Sequence, residues 1–228
     1  HRKVSIMTAG NGIERRGRAI AVAIVLGIVA VVALAAVGLG STPKLSAAAF
    51  QDEMRKLWED HATWTRLVIV SVAADLPDAD PTVARLLQNQ VDIGDAVRPF
   101  YGDAAGDRLT ALLTDHIAIA AEILNAAKAG DSAAVEDAVG RWYANADDLA
   151  RFLSAANPKE WPFDMTQAMM REHLDLTLQE AVAQLTGDYE TSIQTYDRIH
   201  VQMLDMADML SSGIVRQFPH LFNGSFPM

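Results

Sequence analysis

From Phe50 to Ile214 the apolar residues recur every three to four positions, a spacing that favours helices over strands. Phe50, Met54, Leu57, His61, Trp64 and Val68 form one such stripe, and Leu109, Leu112, His116, Ile119 and Ile123 a second. Val135, Ala138, Trp142, Asn145, Leu149 and Phe152 form a third. Tyr189, Ile193, Tyr196, His200, Met203, Ala207, Leu210 and Ile214 form the last. No stretch alternates with period two over the length of a strand, so no sheet is expected. Breaks fall at Asp75-Leu76-Pro77-Asp78, Arg98-Pro99-Phe100-Tyr101-Gly102, Gly130-Asp131, Asn157-Pro158 and Gly187-Asp188, where Gly, Pro and Asp stop one helix or cap the next. The pattern predicts an all-α, up-and-down bundle of about six helices over residues 50–217, joined mostly by short turns that favour antiparallel neighbours. The apolar stretch Phe218-Pro219-His220-Leu221-Phe222 opens a C-terminal tail, residues 218–228, expected to fold back as a plug or to contact a partner or a membrane.

The chain repeats itself. Asp60-His61, Asp115-His116 and Glu172-His173 are acidic–His pairs spaced by 55 and 57 residues. His116 and His173 each stand 14 residues before a Gly-Asp turn, and His61 stands 14 before Asp75. On the returning helices Asp95, Asp148 and Asp205 follow these histidines by 34, 32 and 32 residues. This joint register reads as three related helical hairpins.

Ahead of the bundle, Ala19 to Gly40 is an uncharged run of 22 residues rich in Ala, Val, Ile and Leu. A membrane-spanning helix needs about 20 such residues. Arg15, Arg16 and Arg18 stand just before it, which by the positive-inside rule puts residues 1–18 in the cytoplasm. The expectation is a single-pass anchor over residues 19–40, a linker over 41–49 and a domain outside the cytoplasm. The run is longer than the apolar core of a cleavable signal peptide, which favours an uncleaved anchor. Residues 1–18 hold five basic side chains and one acid, leaving 14 basic and 28 acidic for the rest, a net charge of −14. A domain this acidic excludes nucleic acid as a partner held by phosphate neutralisation, and it draws cations. The membrane is the expected partner, through the anchor, with a membrane-protein partner left open.

The chain has no cysteine, which excludes disulfides, zinc–thiolate sites, iron–sulfur clusters and a cysteine nucleophile. What remains is a set of polar residues at core positions. His61, His116 and His200 fall on the apolar stripes, with His173 close behind Met169 and Met170. In antiparallel hairpins, equal distance from the turn means equal depth. His116 and Asn145 are each about 14 residues from their turn, and His173 and His200 about 13–14 from theirs. His61 and Asp95 are similarly matched about Pro77. The expected site is therefore one mid-bundle layer of His61, His116, His173 and His200 with Asp95, Asp148, Asp205 and Glu180. Inward His and carboxylates on facing helices build metal sites in bundles. Such donors suit zinc, iron, copper or manganese, and the Asp set would orient the imidazoles.

The competing expectation is a buried His–Asp hydrogen-bond layer that fixes helix register in a non-catalytic sensing or protein-interaction module. Haem held by a His/Met pair is a further alternative, although no Cys-x-x-Cys-His attachment is present. Steps of three in His200-x-x-Met203-x-x-Met206-x-x-Met209 drift around a helix, so these methionines read as core filling rather than a copper ladder. The di-iron Glu-x-x-His pattern is absent, since Met170 stands three before His173. There is no Gly-rich phosphate loop, nucleophile elbow or His-Glu-x-x-His motif, so no catalytic residue is assigned.

Arg141-Trp-Tyr-Ala-Asn-Ala-Asp-Asp148, Arg98-Pro-Phe-Tyr-Gly102, Glu172-His173-Leu174 and Gly187-Asp-Tyr189 resemble an uncharacterised family of small bacterial helical proteins, over about residues 50–219. Members carry enzyme names such as glycosyltransferase or acetylglutamate kinase, but this sequence holds no nucleotide-binding strand–loop–helix unit. The resemblance implies a membrane-anchored helical bundle and brings no established site.

Overall fold

A computed structural model describes residues 44–224. The basic segment and the expected anchor at 19–40 lie outside the described residues, as does the end of the tail. Six helices carry the fold: α1 (Ala47–Ala73), α2 (Ala79–Tyr101), α3 (Asp103–Ala129), α4 (Ser132–Ala156), α5 (Phe163–Thr186) and α6 (Tyr189–Gln217).

Local chemistry explains most of the boundaries. Gly130 and Gly187 take left-handed φ values of 74° and 79°, which end α3 and α5 without a Cβ penalty. The next residues, Asp131 and Asp188, turn their carboxylates onto the backbone N–H of Ala134 and Thr191 and cap α4 and α6. Ser46 caps α1 in the same way at Ala49, so this helix starts inside the stretch expected to be linker. The break expected over Arg98–Gly102 falls at its last residue. α2 continues through Pro99 to Tyr101 before Gly102 ends it, so the proline removes a bond only in the last turn. Arg98 holds this corner together, donating to Asp95, to the Asp103 carbonyl and to Asp107.

Each helix packs against its neighbours in the chain, and α6 returns to α1, closing a ring; α1 also touches α3 and α5. The hairpins α1/α2, α3/α4 and α5/α6 thus share one core. Trp142, Leu149, Leu174, Met203 and Met206 are buried there, each worth about 1.5–3 kcal/mol in removal from water. Two glycines permit a close approach of α2 and α3. A Cβ on Gly94 of α2 or Gly106 of α3 would stand 2.9 Å from the other's carbonyl oxygen. α3 is also the one described helix long and apolar enough to cross a membrane, although Leu109, Leu112, Leu113 and Ile117 bury its apolar face in the core.

The tail folds back. Pro219–Leu221 form a 3-10 turn, and Phe222–Asn223 pair in parallel with Leu45–Ser46, a two-residue ladder that the periodicity did not foreshadow. Phe222 is buried, stacked on Phe100 at 5.5 Å and tilted against Phe50 at 5.4 Å. This aromatic plug closes the bundle end where α1 begins and α2 and α6 finish.

Candidate functional site

The first helix of each hairpin carries one inward histidine. His61 on α1, His116 on α3 and His173 on α5 are 2%, 3% and 4% exposed. They meet in a single layer, with ring centroids 5.8 Å apart for His61–His173 and 6.2 Å for His116–His173. Trp58 and Trp142 lie against the rings of His61 and His116, and Trp142 also donates to the His116 carbonyl.

The returning helix of each hairpin supplies an amide in a recurring position. Asn89, Asn145 and Gln202 donate at 2.9, 3.0 and 3.0 Å to the carbonyls of Leu57, Leu112 and Met169. Each of those carbonyls belongs to the residue four before a layer histidine. The amide therefore sits one turn from the imidazole. In the second hairpin the pairing is closed: Asn145 Oδ1 lies 2.8 Å from His116 Nδ1. Because Asn145 Nδ2 is committed to Leu112, Oδ1 is the acceptor and His116 carries its proton on Nδ1. In the first hairpin two amides face His61, Asn89 and Gln90, the latter with Nε2 at 3.3 Å from Nδ1. In the third, Gln202 faces His173, yet neither His173 Nδ1 nor Gln202 Oε1 closes a hydrogen bond. Among the described residues no hydrogen bond engages the Nε2 of any of the three.

Burial lowers the pKa of His61 and His116 from 6.5 to about 4, outweighing the amide contacts that favour the charged form. Burial also drives His173 well below its usual value, helped by the other two imidazoles. The layer is thus neutral near pH 7, the protonation state a metal requires of its histidines. Two apolar cavities flank it along the bundle. One of about 30 Å³ lies on the Met54, Trp58 and Met170 side; one of about 50 Å³ lies on the Thr65, Ile117 and Thr177 side.

The other expected members do not enter the layer. His200 is a third exposed and bonds Glu59 through Nε2 at 2.9 Å, beside Tyr196. On α6 the layer position belongs to Gln202, two residues on and facing inward. Asp95 and Asp148 are exposed and pair with Arg98 and Arg151 one turn along their own helices. Asp205 is exposed on α6. An unpaired carboxylate in this dry interior would carry a large desolvation cost, whereas an amide satisfies the same hydrogen bonds without charge. Glu180 is buried at 1% exposure, but two turns from His173 along α5. Burial raises its pKa, and Arg66 at 2.5 Å opposes that. Arg66 also donates to Ser192 and stacks over Tyr196, so Glu180 serves an ion pair and not the histidines.

Sequence reasoning missed Asn89, Gln90 and Gln202. The signal was present: His61–Gln90, His116–Asn145 and His173–Gln202 all span 29 residues. Among the described residues, no group of three or more His, Cys, Asp or Glu side chains is close enough to hold a metal ion as it stands. No protein-family model, curated protein or solved structure matches the chain.

Proposed function

We propose that this bundle binds a transition-metal ion through His61, His116 and His173. The observation that carries the reading is the unused capacity of the layer. Three neutral imidazoles sit in the core with no hydrogen bond at Nε2 among the described residues, and the buried His173 Nδ1 has no partner at all. Buried polar atoms are nearly always hydrogen-bonded, so the orphaned Nδ1 of His173 calls for a further partner. The donor set fits a metal. At His116 the Asn145 amide accepts from Nδ1–H and orients the ring, the arrangement ligating histidines use. A tetrahedral ion bound through three Nε2 atoms at about 2.0–2.1 Å would hold ring centroids roughly 5 Å apart, against 5.8 and 6.2 Å here. Zinc, copper, iron and manganese remain the candidates; haem does not suit a layer flanked by cavities of only about 30 and 50 Å³.

The anchor reading joins this one. The uncharged run 19–40 after Arg15, Arg16 and Arg18 supports a single-pass membrane protein with the metal-binding bundle outside the cytoplasm. A reporter enzyme fused after Met228 that is active only in the cytoplasm tests it: activity there would sink the topology.

A second reading has its own support. His116 and Asn145 already satisfy each other, and the imidazoles stand wider than a metal requires. On this view the layer only sets helix register. Metal titration of the full chain in detergent separates the two. Metal binding predicts near-stoichiometric uptake, lost in His116→Ala and His173→Ala and kept in His200→Ala and Asp148→Ala. Register alone predicts no uptake by the parent protein and only lower stability in the first two variants.

A further inference from the structure

The C-terminal tail is latched to the start of the bundle by very little. Its ladder has two rungs, Leu45 with Phe222 and Ser46 with Asn223. Beyond them Asn223 Nδ2 donates to the Lys44 carbonyl at 3.4 Å, a long bond that leaves the amide lightly held. Strands this short have little stability of their own. The latch therefore rests on these rungs and on Phe222, buried against Phe50 and Phe100.

One rung is chemically labile. Asn223 is followed by Gly224. Asparagine degrades because the backbone nitrogen of the next residue can attack its side-chain Cγ. Glycine obstructs that attack least, having no Cβ and the widest choice of backbone angles. Asn223 and Gly224 are both exposed, and nothing stands within 4 Å of the point where a Gly224 Cβ would lie. The other described asparagines lack these conditions. Asn89, Asn145 and Asn157 are buried, and Asn157 precedes Pro158, which has no N–H to give up. Asn125 is exposed, but it lies inside α3, precedes Ala126 and ties its amide to the Ala121 carbonyl at 2.9 Å.

We propose that Asn223-Gly224 is a site of spontaneous deamidation whose products release the C-terminal latch. The Gly224 nitrogen forms a bond to Asn223 Cγ, the Cγ–Nδ2 bond breaks, and ammonia leaves with the proton of the Gly224 N–H. Water then opens the cyclic imide. Attack at Cγ gives aspartate; attack at the backbone carbonyl gives isoaspartate, whose main chain runs through Cγ. Neither product keeps the contacts of Asn223. A carboxylate only accepts hydrogen bonds, so the donor to the Lys44 carbonyl is lost. Isoaspartate also adds a carbon to the main chain at the rung opposite Ser46, and the pairing there cannot keep its register. Released, the tail uncovers Phe50 and Phe100 at the bundle end.

The test ages the full chain in detergent at mildly alkaline pH and follows each asparagine by peptide mass spectrometry, with isoaspartate and aspartate resolved. Asn11-Gly12, the chain's other Asn-Gly pair, lies outside the described residues and is read on its own peptide. Asn223 is expected to convert, with isoaspartate the main product, while Asn125 keeps its amide. Brief chymotrypsin treatment reads the latch. Aged protein should be cut after Phe222 about fivefold faster than fresh protein, as the loss of one ladder bond implies. Asn223→Gln, which cannot form the five-membered imide, should show no such gain over the same ageing. An Asn223 that converts no faster than Asn125 overturns the modification site. An isoaspartate-bearing chain cut no faster than the fresh parent overturns the release.

Discussion

Asn145 holds His116 by two hydrogen bonds at once: its Oδ1 lies 2.8 Å from the imidazole Nδ1, and its Nδ2 donates at 3.0 Å to the Leu112 carbonyl one turn below. Removing that side chain orphans a buried ring N–H. Asn145→Ala is expected to cost about 2–4 kcal/mol. Gln202→Ala breaks only the bond to Met169, since Gln202 Oε1 is already without a partner, and should cost about 1 kcal/mol. Urea unfolding of the two variants side by side checks the order. Equal losses would mean that the two hairpins hold their histidines alike.

The neutral layer makes stability depend on pH in a definite direction. Burial depresses the pKa of His61 and His116 from 6.5 to about 4, and holds that of His173 well below its usual value. The unfolded chain therefore binds more protons than the folded one between these values. Stability from the layer is complete above pH 6.5 and is lost as pH falls toward 4, by up to about 1.4 kcal/mol per pH unit for each histidine. Thermal unfolding of the metal-free protein at pH 7.5, 6 and 5 should show the fall, and His116→Gln should flatten it. A profile level from pH 7.5 to 5 would mean that these imidazoles are solvated.

Glycine positions offer a matched pair. A Cβ on Gly213 would stand 2.2 Å from Trp161 Nε1, while one on Gly140 meets nothing within 4 Å. Gly213→Ala must displace an indole that is 2% exposed and should cost about 1–3 kcal/mol. Gly140→Ala lies inside α4 on its exposed side and should stabilise by about 0.5–1 kcal/mol. Melting temperatures moving in opposite directions would bear out the packing of α6 on Trp161.

Much of the architecture was legible in the chain, and the reasons are local. Gly130-Asp131 and Gly187-Asp188 announce a left-handed stop followed by a cap, and both behave so. Two of the three layer histidines, His61 and His116, were readable from their place on apolar stripes, and His173 from its register in the repeat. The acids were not, because Asp95, Asp148 and Asp205 repeat in step with the histidines while facing water. Periodicity alone does not say which face of a returning helix is dry. Desolvation does: at a layer without cations only neutral groups such as Asn89, Asn145 and Gln202 are tolerated. His200 was misplaced by two residues for the same reason, since Gln202 takes the inward position. The break over Arg98–Gly102 was legible too, and it falls at Gly102 because a proline is tolerated in the last turn of a helix.

Among the described residues, Arg66 and Glu180 form the one ion pair in which a charge is fully enclosed, Glu180 being 1% and Arg66 21% exposed. Arg66→Met would leave the carboxylate buried and unpaired, at a cost of about 3–5 kcal/mol. Adding Glu180→Gln should recover much of that loss, a coupling read from a double-mutant cycle. Additive losses would mean the two side chains act independently.

X-ray absorption at the metal edge of the loaded full-length protein tests the three-histidine site most directly. Binding through His61, His116 and His173 predicts three nitrogen scatterers at about 2.0–2.1 Å with the outer-shell pattern of imidazole, reduced to two in His173→Ala. A shell of oxygens alone, or a protein that retains no metal after dialysis, would contradict it.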